Sequence, residues 1–394
     1  MPLRCTSVLL INTLVIVCFF TVQKADFAGA EMHISPRLLL EQGYSDNFFR
    51  SETNEREFWV TRVGPGFTLE ALTDRSRLEL DYTFSYFWYN TQEEDIDASR
   101  LNYAGHDFNL YAAHRFLTRL TLGMYDNFIL TREPGSLDDF SQGVDPSKYW
   151  RNRVSPFINY DIAEKGEVNL RYRNEEFRYL DKTRPGQDDS SEHRGILTLT
   201  YHLNETNHLD LQGQVWRREY DGTNSDYDAY WGSLIFRHEF NTYLKGLVQT
   251  GYQNRNFDKG SLDDVEEFTF QARLEGATEL SKLWVRLRRG IPDFVEGDAY
   301  FRAYQGDAYV ERIFLEKIRG YLGGYYQFSD YFDSPREDNT YVGFGGLGYR
   351  FLDNIFELSL EYSYEDRDSN QPGGSYTENR VYLRLNMLYD FASK

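Results

Sequence analysis

From Glu31 onward the chain consists of short runs in which apolar and polar residues alternate, and the alternation is cleanest near the end. One set of alternate positions holds Val381, Leu383, Leu385, Met387, Tyr389 and Phe391, and the other holds Tyr382, Arg384, Asn386, Leu388 and Asp390. A period of two is the period of a β-strand, whose successive side chains point to opposite faces. A strand of about 9 to 11 residues with one apolar face and an aromatic end suits a tilted crossing of a lipid bilayer. A strand of a soluble sandwich alternates in the same way, so one strand does not decide between them.

The unit recurs along the chain. Leu78, Leu80, Tyr82, Phe84, Tyr86 and Trp88 share a face, opposite Glu79, Asp81, Thr83 and Ser85. Val154, Pro156, Ile158 and Tyr160 lead through Glu164-Lys165-Gly166 into Val168, Leu170 and Tyr172, with Asn169, Arg171, Arg173 and Glu175 on the other face. Short turns fall near residues 74, 117, 164, 205, 241, 281, 315 and 353, and longer polar loops are centred near 53, 95, 139, 186, 223, 260, 294, 333 and 371. These seventeen connections predict about eighteen strands, with sixteen left open by the uncertain ends. No helix-period segment of useful length intervenes, so residues 31–394 read as one all-β domain. The expected fold is a transmembrane, antiparallel, up-and-down β-barrel, its termini and short turns on the periplasmic side and its long loops outside. A soluble sandwich would need its alternating faces and strand edges covered by another layer.

The first thirty residues have the pattern of a cleaved export signal: Arg4, a mostly apolar stretch from Val8 to Val22, and Ala28-Gly29-Ala30 before Glu31. Both cysteines, Cys5 and Cys18, lie within it, so the remaining chain has no thiol for a disulfide or a cysteine-ligated metal. Removing the segment leaves 41 basic and 61 acidic residues, a net charge of −20, which makes nucleic acid an improbable partner. Mean hydropathy is negative, as in many soluble proteins. A barrel with a polar lumen and polar loops has the same average. Aromatics reach 17%, with 31 Tyr and 29 Phe, a surplus suited to girdles at two membrane interfaces.

The stretch Gly43-Tyr44-Ser45-Asp46-Asn47, followed by Gly64-Pro65-Gly66-Phe67-Thr68-Leu69 and by Ser76 to Tyr82, resembles the β-barrel porin family found with bacterial exopolysaccharide and capsule export clusters. The resemblance implies an outer-membrane conduit for a secreted glycan, partnered by a periplasmic polysaccharide-export protein, and supplies no catalytic residues. Residence in the outer membrane would add lipid and the barrel-assembly machinery as partners. The alternatives are a general or solute-specific diffusion porin, an outer-membrane hydrolase and a surface adhesion barrel.

Candidate pore-lining residues follow from the polar face: Glu79, Asp81, Arg171, Arg173, Glu267, Gln271, Arg273, Arg286, Arg288, Glu357, Glu361, Arg384 and Asn386. A polar wall of both signs suits passage of hydrated solute. For any one of them, pairing with a charge on a neighbouring strand is the plainer expectation. Inward aromatics such as Phe87, Tyr89 and Trp216 have faces that can stack on sugar rings, though lumen packing is the commoner use. The seven histidines are scattered, no Gly-x-Ser-x-Gly element occurs, and no catalytic residue, cofactor or metal site is assigned. His202 and His208, flanking one turn, read as rim residues before they read as a metal pair.

Overall fold

The computed structural model describes residues 31–132, 147–182, 186–258, 262–293, 299–332, 334–389 and 391–392. The expected export segment, the middle of the connection expected near residue 139, Asp390 and the side chain of Phe391 lie outside the described residues. Eighteen long strands follow one another in chain order. They are β1 (Glu31–Ser45), β2 (Phe58–Leu72), β3 (Ser76–Asn90), β4 (Tyr103–Leu117), β5 (Leu120–Thr131), β6 (Tyr149–Ala163), β7 (Gly166–Tyr179), β8 (Ser190–His202) and β9 (Asn207–Tyr220). Then come β10 (Tyr227–Asn241), β11 (Leu244–Phe257), β12 (Val265–Ala277), β13 (Ser281–Gly290), β14 (Phe301–Phe314), β15 (Ile318–Tyr331), β16 (Glu337–Phe351), β17 (Phe356–Ser369) and β18 (Tyr376–Leu388).

Each strand pairs antiparallel with its neighbours in sequence, and β1 also pairs with β18, so the sheet closes on itself and leaves no edge. The closing register sets Leu40 opposite Leu385 and Glu41 opposite Arg384, and Phe391–Ala392 continues the same seam against Ile34 and His33. The eight tight turns and nine longer connections fall where the alternation places them. Two turns hold non-glycine residues in the left-handed region: Leu315 and Glu316 at φ 50° and 61°, and Leu352 to Asn354 at 49°, 56° and 66°. Left-handed residues of this kind match the twist of a tight hairpin. The one short helical segment among the described residues is the 3-10 turn Ala98–Leu101, where the Asp97 side chain accepts from the Ser99 amide.

The two faces of the sheet invert the usual arrangement of a soluble protein. Leu170, Leu197, Leu211, Val248, Leu287, Leu347 and Leu383 point outward and are exposed. Exposed rings flank this aliphatic band on both sides, including Trp59, Trp88, Tyr252 and Tyr341 toward the loops and Tyr160, Tyr201, Phe240 and Tyr349 toward the turns. That is the outline of a hydrocarbon layer between two aromatic girdles. The opposite face carries the buried polar residues, Glu192 and Arg255 at 0% exposure and Arg218 at 1% among them. Ion pairs on this face skip a strand, Arg37 (β1) to Asp81 (β3) and Arg218 (β9) to Glu175 (β7), because the concave wall brings second neighbours within reach.

Candidate functional site: a charged lumen narrowed by inward loops

Alternation along each strand decides which side chains share a face, and the residues expected to line the pore are mostly tied to polar or charged partners on neighbouring strands. Asp81 accepts from Arg37 at 2.6 Å and from Thr68 at 2.8 Å, and Glu79 pairs with Arg77. Glu357 receives Arg319 and Arg350, both at 3.0 Å, while Glu361 receives Arg384 at 3.0 Å and the Tyr321 hydroxyl. Arg384 also holds Glu41 across the closing seam, and Asn386 stands beside it in register with Glu357. Glu267 is shared by Arg289 and Arg302. Arg273 and Arg286 face each other directly, each with its own carboxylate, Glu275 at 2.7 Å and Asp307 at 2.9 Å. Gln271 lies opposite Arg288, whose Nε donates to Gln305. Arg173 joins Glu192, whereas Arg171 lies 5.2 Å over the Tyr125 ring. Cross-strand pairing is thus the dominant local arrangement, and it ties these side chains into several clusters.

The densest cluster spans β6 to β11. Glu192 receives Arg173 at 2.6 Å, Arg194 at 3.0 Å and Arg218 at 2.8 Å. Glu175 receives Arg218 at 2.8 Å and Arg153 at 2.7 Å. The connection after β13 turns inward and adds Asp293, which receives Arg194 at 2.9 Å and lies 3.4 Å from Arg255 and 3.5 Å from Arg173. Arg255 also donates to the Pro292 carbonyl at 2.8 Å, and the Tyr227 hydroxyl donates to the Asp293 carbonyl at 2.8 Å. Rings brace the cations: Trp216 lies 4.0 Å from the Arg194 guanidinium, and Tyr227 and Tyr300 lie 5.1 and 5.3 Å from that of Arg255. Five arginines meet three carboxylates, so the cluster carries a formal surplus of two positive charges in a chain whose total is −19. Burial pushes the Asp293 carboxyl up, but Arg194, with Arg173 and Arg255, pulls it below the ordinary aspartate value.

A second inward structure occupies the other side of the mouth, and the Gly43-Tyr44-Ser45-Asp46-Asn47 stretch builds it. Ser45 donates to Glu378 at 2.6 Å, Asp46 accepts from the Asn379 amide and side chain, and Asn47 donates to the Ser51 and Thr377 carbonyls. These bonds sew the first loop to β18 and turn Phe48 and Phe49 inward onto Phe58, with Phe48 also reaching Tyr89. Phe87 and Tyr103 stack beside them at 4.5 Å. Arg50, left-handed at φ 54°, reaches Glu365 at 3.1 Å and Glu378 at 3.3 Å.

Sequence reasoning did not single out Glu192, Arg194, Arg218, Arg255 or Asp293. The four strand residues carried a usable signal, since each stands on the polar side of its alternation. Asp293 carried none, because it lies in a polar connection like the others. At the turn side, His202 and His208 approach to 2.7 Å between their Nδ1 atoms at the ends of β8 and β9. Among the described residues no group of three His, Cys, Asp or Glu is arranged to hold a metal ion.

A family model described as "Putative beta-barrel porin 2" matches residues 189–389. Comparison with curated protein sequences finds no match. Solved structures match the whole barrel at low identity. OpdK of Pseudomonas aeruginosa, solved with vanillate, is 11% identical at a TM-score of 0.52, over 91% of this chain and 99% of that one. OccK9 (OpdG) of the same organism is 13% identical at 0.51, over 91% and 98%. OccAB4 of Acinetobacter baumannii is 10% identical at 0.50, over 92% and 98%.

Proposed function

The chain belongs to the beta-barrel porin 2 family, and from that premise we propose that it is a diffusion porin for small hydrated solutes. It is an outer-membrane β-barrel porin. The finer reading rests on one observation, the inward fold of Ile291 to Asp293 onto the arginine cluster of β7 to β11. An unobstructed barrel of this strand number encloses an aqueous channel. A segment pinned across its mouth by Arg194, Arg255 and Tyr227 narrows the path and lines it with fixed donors and acceptors. Such a wall passes solutes that exchange water for many weak contacts, and it disfavours a bulky polymer. The neighbouring structures, Occ and Opd outer-membrane proteins, share the fold with this reading.

Export of a polysaccharide, implied by the resemblance of the first loop and its flanking motifs, has no counterpart in the narrowed mouth. Liposome swelling separates the two. Reconstituted barrel should admit amino acids and monosaccharides and exclude larger oligosaccharides. Equal entry of long oligosaccharides, together with loss of surface glycan in a deletion strain, would reject the small-solute reading in favour of export.

A further inference from the structure

On the outer face, at the turn side, a groove of about 400 Å³ runs between the ends of β11 to β14, lined by Tyr243, Leu244, Gly276, Leu283, Val310 and Arg312 among others. Gly276 opens its floor. A Cβ there would stand 3.4 Å from the Leu244 side chain and from the Tyr243 carbonyl, which is ordinary van der Waals contact, so packing of the barrel does not demand glycine at this position. Leu283 and Val310, paired in register and both exposed, form the opposite wall. The groove therefore carries the apolar outer surface down to the level of the exposed Tyr243 and Phe314 rings, where the hydrocarbon layer gives way to headgroups.

Arg312 stands at its lower end. Opposite Ser281 in register, it shares the outer face with Val310 and Phe314, its guanidinium 5.8 Å over the Phe314 ring and its Nη1 3.4 Å from the Ser281 hydroxyl. It has no ion pair with a carboxylate among the described residues. Glu311, its neighbour in the chain, lies on the other face and takes Arg319 at 3.2 Å and Lys282 at 3.6 Å. Arg178 and Arg217, which alternate with the exposed Leu180 and Val215 near the loops, hold Glu176 at 2.6 Å and Asp258 at 2.7 Å.

A guanidinium without an anion keeps a planar fork that fits a phosphate in two parallel hydrogen bonds. A cation at headgroup depth, at the mouth of an apolar cleft, complements an amphiphile with an anionic head and a hydrocarbon tail. We propose that this groove holds one phospholipid of the periplasmic leaflet, its phosphodiester on Arg312 and the Ser281 hydroxyl and one acyl chain along Gly276, Leu283 and Val310. The site lies on the outer wall of the barrel and is independent of what the lumen carries.

Native mass spectrometry of the detergent-solubilised barrel tests it, with dioleoyl phosphatidylglycerol as the probe and dioleoylglycerol as the counterpart with the same chains and no phosphate. The wild type should retain one phosphatidylglycerol at concentrations where it retains no dioleoylglycerol. Arg312→Gln should raise the half-saturating phosphatidylglycerol concentration by about tenfold, the loss expected for one charge-assisted contact. Gly276→Leu, which fills the groove and leaves Arg312 in place, should weaken binding as well. Lys317→Gln, which removes another exposed cation at the same end, should not. The heat-induced gel shift reports folding of each variant, and if Gly276→Leu gives no folded barrel, Val310→Phe narrows the same groove from its other wall. Equal retention of the two lipids, an unchanged half-saturating concentration in Arg312→Gln, an equal loss in Lys317→Gln, or full binding by a folded variant with its groove filled would overturn the site.

Discussion

Asp293→Ala is the most informative single substitution, because it removes the side-chain anchor of the inward segment without touching a strand. Of the three contacts made by the carboxylate, the Arg194 bond at 2.9 Å has full hydrogen-bond length, while those to Arg255 at 3.4 Å and Arg173 at 3.5 Å are long. A hydrogen bond between charged groups contributes ~1.5 to 3 kcal/mol. Arg194 keeps Glu192 at 3.0 Å through two nitrogens, so it is not left alone in a buried place, and the lower end of that range applies. The carbonyls of Pro292 and Asp293 also keep their bonds from Arg255 and Tyr227. A loss of about 1.5 to 2 kcal/mol shifts the ratio of undocked to docked segment by roughly 10- to 30-fold. Single-channel recording should therefore show longer dwells in a wider conductance level and more open-channel noise. The barrel's thermal midpoint should stay near that of the wild type, since every strand ladder is intact. Identical conductance levels and dwell times in variant and wild type would refute the assignment of this segment as the constriction.

Glu192→Gln removes the carboxylate that Arg173, Arg194 and Arg218 share. Leaving buried charges unpaired costs about 3 to 5 kcal/mol, so the heat-induced gel shift of the folded barrel should occur at a clearly lower temperature, and an unshifted transition would show that water already screens the cluster. Leu385, opposite Leu40 and Leu358 on the outer face, should not tolerate arginine, because a cation near the bilayer midplane costs ~2 to 4 kcal/mol. Arg384→Ala, one residue away in the lumen, should assemble normally, and equal defects in membrane-inserted yield would contradict the register. The pH response of the constriction follows from the lowered Asp293 value. A carboxyl whose folded value lies below its free value of about 3.9 stabilises the docked segment above that pH and loses this contribution as pH falls through the lower, folded value. Conductance should accordingly be flat from neutral pH to about 5 and rise only in stronger acid, whereas a rise near pH 6 to 7 would assign the control to a different group.

Much of the fold could be read from single residues because a membrane barrel exposes both of its faces to contrasting solvents. Lipid outside and water inside impose opposite chemistry on consecutive positions, so Leu383, Arg384 and Leu385 announce strand, face and register together. The turns near 164, 315 and 353 and the loops between them follow from where that alternation breaks. The grouping of Glu361 with Arg384 on one face of the sheet follows from the same period.

The site depended on distances that no local pattern contains. Arg194 and Asp293 stand 99 positions apart, and their contact exists because the wall curves and one connection folds into it. Asp293 in the sequence is one more acidic residue in a polar loop, as are Asp263 and Asp264. Likewise, nothing in the strand pattern reveals that Glu41 pairs with Arg384 across the closing seam and leaves Arg62 to Ser85 and Phe87. Period two determines which side chains enter the lumen. Which of those charges neutralise one another is decided by closure of the barrel, because only closure brings β1 to β18 and turns second-neighbour strands and inward loops into contacts within reach of a side chain.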